Sequence, residues 1–240
     1  MGLDPQHSER GQAAVETAIV LPLMVFMLLG VLQMSIAYQT RLLNEYAAFK
    51  VARAASVYRL DCSHMVNAGL MALIPSVSLG RLFPQTDAGM RQRFVATARA
   101  LISNNQPPNR GVAIPLIRVH YWVSHTKDAF DEQLAPGEEP MKVHIRLAYF
   151  FEYRIPFANW IISRTWLASQ TGQPWATGAD PITPVRSTAG RVSPATEASW
   201  DVDIVRQALA ANYFTVPLVS TWSMRMMSDP IGPTSLTSCQ

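Results

Sequence analysis

One carboxylate, Glu16, stands at the mouth of an uncharged stretch that runs from Thr17 to Thr40. An unpaired charge there is costly, because at the edge of lipid it loses hydration without gaining a counter-ion. Shortly before it comes a glycine, in the run Gly11-Gln12-Ala13-Ala14-Val15-Glu16. Cleavage of the Gly11–Gln12 peptide bond would free an amine on Gln12. In a helix that amine stands one turn from Glu16, in the i to i+4 relation that brings two groups together. The chemistry available is therefore backbone cleavage followed by ion pairing. Within one subunit, or between the amine of one and Glu16 of the next, the pair would offset both desolvation penalties and fix the axial register of packed helices. Taken alone, Glu16 also reads as an acid favoured in a first helical turn by the macrodipole.

The remaining reactive side chains form no such constellation. There is no P-loop, no GxGxxG, no HExxH and no GxSxG. His7, His64, His120, His125 and His144 are dispersed, although His120 and His144 would meet if their strands pair with both on one face. Two imidazoles without a carboxylate or thiolate set are a poor metal site. Asp128, Asp131, Glu132, Glu138 and Glu139 crowd a loop, while Asp201 and Asp203 lie near an expected helix start, where N-capping accounts for Asp201. Cys62 and Cys239 lack CxxC spacing, so they are either one disulfide, which an oxidising compartment permits, or two thiols. Neither an enzyme, a cofactor nor a metal is expected. The net charge of +3 is mild and scattered, which argues against nucleic acid as a partner.

These residues must be positioned by few elements. Of 240 residues, 49% are apolar and 15% charged, a balance that fits one membrane anchor plus one domain. Residues 17–40 are apolar around the whole circumference of a helix and long enough to cross about 30 Å of hydrocarbon. Arg41 to Tyr58 contains neither Gly nor Pro, so the helix is expected to continue as one unit over 12–58, with Pro22 and Gly30 able to bend it. On its outer half Leu42, Tyr46, Phe49 and Val51 are expected to pack on the domain, with the alanines between them allowing close helix approach.

Short helices are expected over His64–Leu73 and Asp87–Ser103. Alternation marks Leu116–His125 and Lys142–Ile155 as antiparallel strands joined by the loop Thr126–Pro140, and Thr215–Met226, after a helix starting near Asp201, is expected as a third strand. Phe157–Leu167 carries Trp160, Ile161, Ile162 and Trp166, suited to a membrane interface or, more simply, to a core or subunit contact. Residues 59–228 thus make an α+β domain with a mobile loop at 169–199, and 229–240 a flexible tail.

The string Arg10-Gly-Gln-Ala-Ala-Val-Glu-Thr-Ala-Ile-Val-Leu-Pro-Leu23 resembles the start of the TadE/TadG-like family, minor pilins or pseudopilins of bacterial tight-adherence (Tad/Flp) pilus systems. The likeness continues weakly through Asn44-Glu-Tyr-Ala-Ala-Phe-Lys-Val-Ala-Arg-Ala-Ala55. It implies a type IV pilin-like fold and a leader of residues 1–11, removed between Gly11 and Gln12 by prepilin peptidase on the cytoplasmic side. It also implies assembly with other major and minor pilins on an inner-membrane platform. The implied location is the bacterial inner membrane, single-pass, with the C-terminal domain extracytoplasmic. A membrane-tethered binding or enzymatic domain with a pilin-like anchor is the alternative. The basic residues near the span point to the other orientation, since Arg10 on one side faces Arg41, Lys50, Arg53 and Arg59 on the other.

Overall fold

The computed structural model describes residues 6–77, 87–107, 113–125, 141–171 and 194–239, with only the backbone for 6–13, 87, 88, 90, 93, 97, 100, 171 and 194–200. A single 52-residue helix, α1 (Gln6–Val57), opens the chain and contains Pro22. It begins before Gln12, and no proline interrupts the chain from Gln6 to Leu21. At 1.5 Å per residue it is about 78 Å long. Two consecutive residues in left-handed conformation, Arg59 (φ 59°) and Leu60 (φ 68°), reverse the chain. Asp61 then caps α2 (Cys62–Leu73) by accepting the Ser63 N–H at 2.8 Å. A 3₁₀ turn at Ile74–Ser76 follows, and then α3 (Asp87–Asn104).

Asn105 joins α3 to the sheet by imitating a strand. Its side chain donates to the Ile117 carbonyl at 2.8 Å and accepts the Ile117 N–H at 3.1 Å. β1 (Ile117–His125) pairs antiparallel with β2 (Met141–Glu152), as the alternation predicts, with Val119 opposite Leu147. After α4 (Ala158–Thr171) and α5 (Pro194–Ala210), β3 (Thr215–Arg225) joins the free side of β2. A short strand, β4 (Thr237–Cys239), joins the free side of β1, giving the order β3-β2-β1-β4. The result is the expected α+β layout of a long apolar helix, short helices and a small antiparallel sheet.

Val119, Tyr121, Val143, Ile145, Leu147 and Tyr149 are all buried on one sheet face, which packs on α1 and α2. On the helix side Val51 and Phe49 pack on the domain as expected, whereas Leu42 and Tyr46 do not. Ala37, Ala47, Ala48, Val51, Ala52 and Ala55 are buried, whereas Leu42 and Tyr46 are exposed and Phe49 rests edge-on against Trp222. Small residues face the sheet because the helix lies close to it, and large ones there would hold it off.

Two further expectations are corrected. The segment 229–240 is no free tail. The Thr234 carbonyl accepts the Val123 N–H, the Arg59 carbonyl accepts the Ile231 N–H, and β4 completes the sheet edge. Asp201 is not a cap, since α5 starts at Pro194 and places it buried in mid-helix. The ends of the 169–199 segment are helical in α4 and α5, while 172–193 and the acidic loop 126–140 lie outside the described residues.

Gly69 of α2 marks the tightest junction. A Cβ built there would lie 2.9 Å from Cδ1 of Ile117 and 3.0 Å from Cγ2 of Val51. Gly69→Val therefore wedges α2 away from both α1 and β1. It should lower stability by about 1–3 kcal/mol, read as a lower denaturation midpoint of the full chain in detergent. An unchanged midpoint would refute the close contact.

Candidate functional site

The first half of α1 is the part of the molecule that folding leaves uncovered. From Ala14 to Leu32 the helix has almost no buried surface, although it carries Val15, Ile19, Leu21, Leu23, Phe26 and further aliphatic side chains. A water-soluble domain would normally hide such a stripe. Ala14–Val57 is long and apolar enough to cross a membrane, and it is the one such helix among the described residues. Pro22 lacks an N–H, so the Ala18 carbonyl has no intrahelical partner. Glu16 is exposed at the start of this surface. Gly11 and Gln12 lie upstream in the same helix, with Gln12 one turn from Glu16.

The second half of α1 is docked. Its buried positions are Gln33, Ala37, Thr40, Asn44, Ala47, Ala48, Val51, Ala52, Ala54, Ala55 and Ser56, recurring three and four apart up to Ala47 and widening to adjacent pairs beyond it. Polar members of this seam are spent on the domain. Gln33 accepts the Ile155 N–H at 2.9 Å. Asn44 donates to the Leu218 carbonyl at 2.7 Å and to Ser220 Oγ at 2.9 Å, both on the outermost strand. Ser56 donates to the Arg225 carbonyl at 2.6 Å and accepts the Met227 N–H at 3.1 Å. Thr40 donates to the Ile36 carbonyl of its own helix. Sequence reading missed Gln33, Asn44 and Ser56 as anchors. The signal was present as polar residues recurring at helical spacing among alanines.

Cys62, the first residue of α2, and Cys239, the last of β4, are joined as a disulfide with Cα atoms 5.4 Å apart. The bridge closes a loop of 177 residues and ties the chain's end to the helix packed on α1.

The other sheet face carries the charged groups. Arg146 donates to Asp201 Oδ2 at 2.6 Å, and both side chains are largely buried where α5 crosses the sheet. Burial pushes the Asp201 carboxyl above its ordinary value, against the pull of Arg146 and Arg118. His120 is fully buried and lies opposite Arg146 in the register, accepting from its guanidinium at 3.3 Å. Desolvation, with the positive charges of Arg146 and Arg118, pushes the His120 imidazole down to about 4. His144 shares this face but lies opposite Trp122, stacks on that ring and hydrogen-bonds Ser124 at 2.7 Å, so the two histidines have separate surroundings. Among the described residues no group of three or more His, Cys, Asp or Glu could hold a metal ion.

Residues 11–53 match the family model described as TadE-like protein, so the match begins at Gly11 and runs through the exposed and docked halves of α1 alike. No curated protein and no solved structure matches the chain.

The buried imidazole sets a pH dependence. With the folded value near 4 and the ordinary value 6.5, the unfolded chain takes up the His120 proton first as pH falls. Stability is therefore full above about pH 6.5 and is lost as pH drops toward about 4, by up to roughly 2–3 kcal/mol. Asp201, shifted upward, works in the opposite sense at the acid end of that range. His120→Gln should flatten the slope of the denaturation midpoint between pH 4 and 6.5; an unchanged slope would remove His120 as its source.

Proposed function

We propose that this chain is a minor pilin or pseudopilin of a tight-adherence pilus system, cut between Gly11 and Gln12 by prepilin peptidase. It is held in the bacterial inner membrane by the first half of α1 and joins other pilins on the assembly platform. The coarser part, a component associated with such a system, rests on the TadE-like segment at 11–53.

The observation that carries the finer reading is the division of one unbroken helix. Its exposed apolar half is headed by Glu16, and its docked half presents the domain at the far end. Removal of residues 1–11 leaves that apolar surface headed by a new amine, with Glu16 one turn along. Neighbouring anchors packed side by side would then be held in register by amine and carboxylate, each relieving the other's desolvation cost. Tyr38, Leu42 and Tyr46 are exposed on the outward side of the docked half and extend the apolar contact surface above the membrane. The Cys62–Cys239 bridge supports an extracytoplasmic domain, because disulfides persist in oxidising compartments.

Intact-mass measurement in a host with active prepilin peptidase should give a mature chain beginning at Gln12. A mature chain still containing Met1 to Gly11 would refute the processing and with it the pilin reading. Glu16→Ala should be cut normally yet lower incorporation into pili by about tenfold or more, the equivalent of about 1.4 kcal/mol per subunit. Normal incorporation would remove the register role while leaving cleavage standing.

A further inference from the structure

We propose that the first turns of α4, Phe157 to Ile161, are immersed in the lipid bilayer beside α1, as a second membrane contact of the domain. This rests on the reading of α1 as a membrane span.

Distance along the helix gives the first reason. With Glu16 at one edge, a hydrocarbon layer of about 30 Å extends about 20 residues along α1, to the neighbourhood of Ile36. The domain reaches the helix well before that point. The ring of Phe157 meets the ring of Phe26 edge-on, with centroids 5.2 Å apart, and Gln33 already bonds the backbone of Ile155. The Phe26 level lies about 15 Å short of the far hydrocarbon edge at 1.5 Å per residue. A tilt of about 20° shortens the projected length by less than a tenth, so tilting does not lift this contact clear of lipid.

The side chains at that level fit immersion. Phe157, Trp160 and Ile161 are 63%, 52% and 55% exposed, apolar, and continuous with the exposed surface of α1 through Phe26. On the opposite face of α4, Ser163 and Trp166 are buried against the domain. Phe157 also has φ 66°, a left-handed conformation that costs a bulky residue of order 1 kcal/mol or more, and it spends that cost on an outward-facing ring. The backbone N–H of Ile155 at this level is taken up by Gln33, as a lipid environment requires of polar backbone groups.

Cationic groups complete the arrangement. Arg164, one turn beyond Trp160 and 5.9 Å from its ring centroid, and the exposed Arg154, which pairs with Glu152 at 3.6 Å, flank the apolar turn. Long arginine stems allow their heads to reach phosphate while the stems lie along apolar surface.

The test uses the full chain in vesicles of phosphatidylcholine and phosphatidylglycerol, with and without bromine on the acyl chains. Bromine quenches tryptophans that touch lipid. Wild-type emission should be quenched, and Trp160→Phe should remove about half or more of the quenched share, as suits a ring in contact with acyl chains, whereas Trp222→Phe should leave it unchanged. Met27→Trp, made in the Trp160→Phe background, reports the span itself. If that tryptophan is not quenched, the membrane reading of α1 falls and the proposal with it. If it is quenched while Trp160→Phe leaves the wild-type quenching intact, the span stands and the α4 contact is overturned, the turn then facing water or a neighbouring copy.

Discussion

The close seam between the second half of α1 and the sheet is the constraint on which the rest of the molecule depends. Alanines at 37, 47, 48, 52 and 55 let the helix backbone approach the β2–β3 surface. Each contact is worth little, but a close-packed interface sums many of them. Asn44 adds direction to a contact that dispersion alone would leave free to slide, because its amide meets the Leu218 carbonyl and the Ser220 hydroxyl at one register only. Other elements inherit that register. α2 fits between Val51 of α1 and Ile117 of β1 because Gly69 presents no side chain. β4 is then tied to α2 through Cys62 and Cys239, so the last strand is placed by the first helix.

The second sheet face is organised by charge. A buried ion pair gains Coulomb energy but gives up hydration on both sides, so its net contribution to stability is small. What Arg146 and Asp201 supply is orientation, since α5 can satisfy the guanidinium in one position. His120 belongs to this arrangement as a neutral acceptor. An imidazolium beside Arg146 and Arg118 would be a third positive charge around a single carboxylate.

Elements set by local pattern were legible in the sequence. The strands at β1 and β2 follow from alternation, β3 is expected as a third strand, and α2 and α3 as short helices, with ends shifted by at most three residues. The anchor was legible from its uncharged length, and the TadE-like character of its head from Gly11, Glu16 and the Val-Leu-Pro run. What depends on partners far along the chain was not legible. Asp201 reads as a cap because its counter-ion, Arg146, is 55 residues away. Leu42 and Tyr46 offer more side-chain area to bury than Ala47 and Ala48, yet closeness of approach selects the alanines. β4, three residues long and rich in Ser and Thr, has no pattern of its own and becomes a strand only where β1 offers an open edge.

The polar residues of α1 also limit which surface is free for assembly. Gln33 and Asn44 are buried and bonded to Ile155, Leu218 and Ser220. Were α1 to leave the domain and pack wholly against neighbouring helices, these amides would lose their partners, at a cost of about 1–3 kcal/mol for each polar group left buried and unpaired. Thr40 imposes no such constraint, because it is satisfied within its own helix. The seam is therefore costly to open, and on the proposed pilin reading contacts with other subunits would be confined to what it leaves outside. That remainder is the exposed stretch before Gln33 and the outward stripe of Tyr38, Leu42 and Tyr46. One helix thus serves two surroundings because its polar side chains begin where the domain first offers hydrogen bonds. Glu16 is the exception at the other end, a charge exposed at the start of the uncovered half.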